Sequence, residues 1–71
     1  METLDLHGVR HYEADRLVEN FVVMSQLPVR IITGNSPAMK EIVHDVLGMY
    51  GLIAEPETHW NLGSLIVRER Q

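Results

Sequence analysis

Two apolar stripes at helical spacing, separated by short runs with strand character, restrict this chain more than any other feature. Ala14, Leu17, Val18, Phe21 and Val22 recur at i, i+3, i+4, i+7 and i+8, the pattern of a helix with one buried side. Glu13, Asp15, Arg16, Glu19 and Asn20 fill the opposite side. Met39, Ile42, Val43, Val46, Leu47 and Tyr50 repeat the device. A helix with a single stripe has to cover a flat apolar layer. Residues 3–6, 29–33, 52–55 and 64–69 supply one, each reading as a short strand.

The punctuation agrees with that division. Leu27-Pro28 ends the first helix, expected over about 11–25, because a residue before proline avoids the helical region. Ser36 is a good N-cap and Pro37 suits the first helical position, where a missing N–H costs nothing. Gly51 suits a left-handed cap after the second helix, and 57–63 is a polar loop. The order is β-α-β-α-β-β. Strands joined through a helix are expected to be parallel with right-handed crossovers, and the last two to form an antiparallel hairpin. The sequence therefore predicts one α/β domain over 1–71, an α+β two-layer sandwich with a mixed four-stranded sheet and both helices on one face.

Seventy-one residues lie near the lower limit for an unaided hydrophobic core. A hydrophobic content of 45% makes disorder a poor reading. There is no cysteine, which excludes disulfides and thiolate zinc sites. No apolar run reaches the roughly 18–20 residues needed to span a bilayer, and nothing at the start resembles a signal peptide. The expectation is a soluble cytoplasmic protein with no membrane partner. The net charge of −4 argues against tight, sequence-independent binding of phosphates unless Arg10, Arg30, Lys40, Arg68 and Arg70 gather in one patch.

The predicted topology brings three segments to one sheet edge. In "LDLHG", alternation puts Leu4 and Leu6 on one face and Asp5 and His7 on the other, just before the chain turns at Gly8. "TGNSP" leaves the second strand and enters the second helix, so Gly34 and Asn35 fall beside His7 and Gly8. An antiparallel fourth strand starts at this edge, bringing Asn61, Leu62 and Gly63 close. Open α/β sheets bind ligands at such edges, and helix N-termini there favour anions such as phosphate.

"LDLHG" followed by Glu13-Ala14 resembles the opening motif of the Smr (small MutS-related) domain. "TGNS" stands where that family has His-Gly-x-Gly or its Thr-Gly-x-Gly variant, and "NLGSLIV" is similar to its closing glycine and strand. The resemblance runs from Leu4 to Val67. It implies a fold like the C-terminal domain of translation initiation factor three, DNA or RNA binding, and nicking endonuclease activity. Asp5 and His7 match the first motif and Gly34 the glycine of the second. Thr33 replaces the commoner histidine, and Ser36 replaces the second glycine, giving a stiffer turn before Pro37.

On this reading Asp5 and His7 are the chemical pair. A carboxylate can hold a hard cation, which makes Mg2+ or Mn2+ candidate cofactors, or it can orient an imidazole that moves protons near neutral pH. Gly8, Thr33, Gly34, Asn35, Ser36, Asn61 and Gly63 line the expected nucleic-acid contact, with Arg10, Arg30 and Lys40 on phosphates. Trp60 either stacks on a base or folds back over the sheet edge. Simpler accounts stand beside these. Asp5 can cap a loop with His7 bonded to it, and "TGNSP" can be a capped helix alone. His7 and His11, four apart, lack a third clustered ligand for zinc. The alternative function is a non-catalytic module that binds nucleic acid or protein, and on either reading a domain this small can act through a larger protein partner.

Overall fold

A computed structural model describes residues 1–70. In chain order the elements are β1 (Thr3–Asp5), α1 (His11–Met24), β2 (Val29–Ile32), α2 (Pro37–Met49), β3 (Leu52–Pro56) and β4 (Ser64–Glu69). They form a mixed four-stranded sheet in the order β1-β2-β4-β3. The β1–β2 pair is parallel, with Leu4 beside Ile31, while β4 lies antiparallel to both β2 and β3. The two-layer α/β sandwich expected from the stripes is the fold observed.

Alternation decides which residues meet the helices. Along β2, Val29 and Ile31 are buried, as is Thr33 just beyond it, whereas Arg30 and Ile32 point the other way and are half-buried. Across the register, Leu65 and Val67 of β4 join the inward set. Ala14, Val18 and Val22 of α1, and Met39, Val43, Val46 and Leu47 of α2, close over them to make one core with Leu6 and Leu52. Both stripes read from the sequence are thus spent on packing. Ser36 caps α2 with its hydroxyl, accepting the Met39 N–H at 3.1 Å. At the opposite end, the Tyr50 hydroxyl donates to the Glu19 carboxylate and ties the two helices together. No helix of the described residues is long and apolar enough to cross a membrane.

The second face of the sheet carries no helix. The register gathers Arg30, Ile32, Ile53, Glu55, Ile66 and Arg68 there. Arg68 pairs with Glu55 at 2.6 Å, and Arg30 grips Glu57 through two hydrogen bonds of 3.1 and 2.8 Å. Glu57 also accepts the Ser64 hydroxyl at 2.7 Å. The Arg30 guanidinium, then the Ser64 hydroxyl, hold the Glu57 carboxyl below its ordinary value of 4.5. A depressed carboxylate contributes stability above its unfolded value and loses it as pH falls through the folded one. The melting temperature of the wild type should therefore exceed that of Glu57→Gln at neutral pH. The gap should close below about pH 4.5, in paired melting curves across the acid range.

Candidate functional site

Because β1 and β2 are parallel and β4 opposes them, the ends of the first two and the start of the third meet at one edge. The first segment leaves β1 through a tight turn. The Leu6 N–H donates to the Ile32 carbonyl at 2.9 Å, and the Val9 N–H returns to the Leu6 carbonyl at 3.0 Å. Gly8 sits third in that turn with φ 78°, the left-handed value a type II turn requires there. Asp5 stabilises it: its Oδ1 accepts the backbone N–H of His7 at 2.9 Å. The carboxylate therefore holds the His7 backbone, a loop-capping use, and its second oxygen has no partner among the described residues. The His7 side chain is exposed at the turn and has no hydrogen-bond partner among the described residues.

The second and third segments are locked together. The Gly63 carbonyl accepts the N–H groups of Thr33 at 2.8 Å and Gly34 at 3.1 Å. Gly34 has φ 66°, and a Cβ built on Gly63 would lie 2.9 Å from its backbone carbon and oxygen. The close approach requires glycine at 63, whereas a Cβ on Gly34 would meet nothing and its glycine serves the positive φ. Thr33 belongs to this joint rather than to a ligand surface. It is 6% exposed, and its hydroxyl donates to the carbonyls of Gly34 at 2.9 Å and Gly63 at 3.3 Å. The Thr33 side chain, expected on nucleic acid, is turned inward and continues the row of Val29 and Ile31.

Gly34 likewise has its N–H occupied. The N–H groups of Asn35 and Ala38 have no partner among the described residues and stand at the N-terminal end of α2, whereas that of Ser36 faces the Thr33 carbonyl across the turn at Gly34-Asn35. Arg10 occupies the N-cap of α1 without a side-chain cap bond, and Lys40 lies in the first turn of α2. Neither forms an ion pair among the described residues. Arg30, expected on phosphates, is instead engaged by Glu57 and by the Thr3 hydroxyl at 3.3 Å. Nor do the bases form one patch. Arg68 is paired on the uncovered face, and the Arg70 N–H bonds the Gly51 carbonyl at the far end of the sheet.

Asn61 is exposed, its N–H donating to the Thr58 hydroxyl at 2.9 Å, and Trp60 stands out at 85% exposure instead of folding back. Among the described residues no three His, Cys, Asp or Glu side chains group closely enough to hold a metal ion, so His7 and His11 complete no such cluster.

The chain matches no family model, no curated protein and no solved structure.

Glu57 and Ser64 are the residues that sequence reasoning passed over. Their signal was the antiparallel β3–β4 register, where the Glu57 N–H donates to the Ser64 carbonyl at 2.7 Å. That register sets Glu57 beside Arg30, a juxtaposition that periodicity within either strand does not reveal.

Proposed function

We propose that this chain is an Smr-like domain that binds DNA or RNA at the β1–β2–β4 edge and nicks a phosphodiester there. The observation that carries this reading is the convergence of three motifs, far apart in sequence, around the Gly34–Gly63 joint. The free N–H groups of Asn35 and Ala38, with the positive end of α2 behind them, suit a phosphate oxygen. Arg10 and Lys40 add charge. His7 is the group able to take a proton from the attacking oxygen as the phosphorus–oxygen bond to the leaving strand breaks. Asp5 is its positioning residue, because its carboxylate fixes the backbone that carries the imidazole.

Binding titrations across salt concentration test the first half of the proposal. Two free cations at the edge correspond to a slope of log affinity against log salt of about −1.4 on a single strand. Lys40→Ala should reduce that slope by about 0.7 and weaken all sequences alike. An affinity unchanged between low and high salt refutes the phosphate contact. The engagement of Arg30 by Glu57 favours a second reading, a binding module without cleavage, since it removes one cation from the phosphate path. Binding with no nicked product under any metal condition would select it.

A further inference from the structure

An open pocket of about 710 Å3 is formed at the loop between β3 and β4, lined by Glu55, Pro56, Glu57, Thr58, His59, Trp60 and Leu62. Its size falls within the range of about 300–1,000 Å3 typical of small-ligand sites. Trp60 at 85% exposure and Leu62 at 48% leave large apolar side chains uncovered beside it. We infer that this cavity receives one unpaired nucleobase, stacked on Trp60, so that the substrate class is single-stranded nucleic acid.

The lining chemistry selects a neutral planar group. Both oxygens of Glu57 are taken by Arg30 and Ser64, and Glu55 is paired with Arg68. Their charges are compensated, so the carboxylates do not repel a neighbouring strand. No lysine or arginine lines the cavity, and Thr58 and His59 add hydrogen-bonding groups that the edge of a base can meet. Beside Thr58 and His59, the lining presents the Trp60 ring, a proline and a leucine, surroundings that favour a stacked base.

Position makes the assignment specific to an adjacent nucleotide. Leu62 directly precedes Gly63, whose carbonyl is bonded to Thr33 and Gly34. The cavity therefore begins one residue from the joint beside which Asn35 and Ala38 present their N–H groups. A strand with a phosphate at those donors has its neighbouring base within reach of the loop. A duplex keeps its bases paired and stacked, and surrendering one carries an unpairing cost. This inference rests on the proposed nucleic-acid binding and adds the strandedness of the substrate.

Trp60 is the one tryptophan of the chain, which makes its fluorescence a site-specific reporter. The full chain is titrated with an end-labelled single strand, the same strand in a duplex, and an abasic strand of equal length. Tryptophan emission and label anisotropy are read together. Stacking predicts quenching by the base-bearing single strand only. Trp60→Ala should weaken single-strand binding roughly 5- to 150-fold and leave the duplex and abasic strands unchanged, with Trp60→Phe recovering most of the loss. Binding by anisotropy with unchanged emission and a silent Trp60→Ala overturns the stacking site and leaves the phosphate site standing. An equal loss on all three ligands also overturns it, because it assigns Trp60 to the loop's own structure. No binding of any ligand overturns this inference together with the reading beneath it.

Discussion

Gly63→Ala is expected to lower the melting temperature by about 12–24 °C, a shift to be read by circular dichroism against the wild type. The new methyl would stand 2.9 Å from three backbone atoms of Gly34, none of which can rotate away as a side chain would. Forced overpacking costs about 1–3 kcal/mol, and a clash with backbone belongs at the upper end. For a domain of this size each kcal/mol corresponds to about 4–8 °C. Relief by separating the segments would stretch the Thr33 and Gly34 N–H bonds to the Gly63 carbonyl, so the strain has no inexpensive outlet. Gly48→Ala is the matching control. A Cβ there meets nothing, and inside α2 alanine should gain about 0.4–1 kcal/mol. If Gly63→Ala melts with the wild type, the joint is looser than the contact distance states, and the convergence of motifs loses its structural anchor.

Much of this fold was legible because one local signal agreed with another. The α1 stripe, with Leu27-Pro28 as its stop, set a helix over about 11–25, and the observed helix runs from His11 to Met24. Ser36-Pro37 marked the start of α2 by capping chemistry alone, and the Ser36 hydroxyl holds the bond that chemistry implied. β4 was readable to its ends. The sheet edge followed from topology, since parallel β1 and β2 must turn toward their helices on the same side. What escaped was cross-strand. Period two already placed Thr33 in the row of Val29 and Ile31, yet its position in a motif suggested a ligand contact. Arg30 was read as free because the partner that neutralises it comes from 27 residues away. Asp5 and His7 were adjacent on paper as two side chains; in the structure the bond runs from carboxylate to main chain.

That last bond separates the roles of Asp5 and His7 in any cleavage reaction. His7→Ala should lower the nicking rate by about 10²–10⁴-fold, the usual contribution of a positioned proton-transfer group. Its melting temperature should stay near that of the wild type, because the exposed ring has no partner among the described residues to lose. Asp5→Asn retains an oxygen that can accept the His7 N–H, so it should keep most of the activity. Asp5→Ala removes that acceptor and releases the turn, at a cost of about 0.5–1.5 kcal/mol in stability. Its rate should fall while its pH–rate profile keeps the wild-type shape, since the imidazole still carries the proton. His7→Ala should instead flatten the limb of the profile that the imidazole produces. The comparison is made on one labelled strand, with rates taken at several pH values for all four proteins. Should Asp5→Asn prove as inactive as His7→Ala, the carboxylate's charge acts directly on the reacting phosphate or on a bound cation, through the oxygen that the turn leaves free. A His7→Ala protein that nicks at the wild-type rate would move the chemistry away from this turn altogether, leaving the edge as a binding surface.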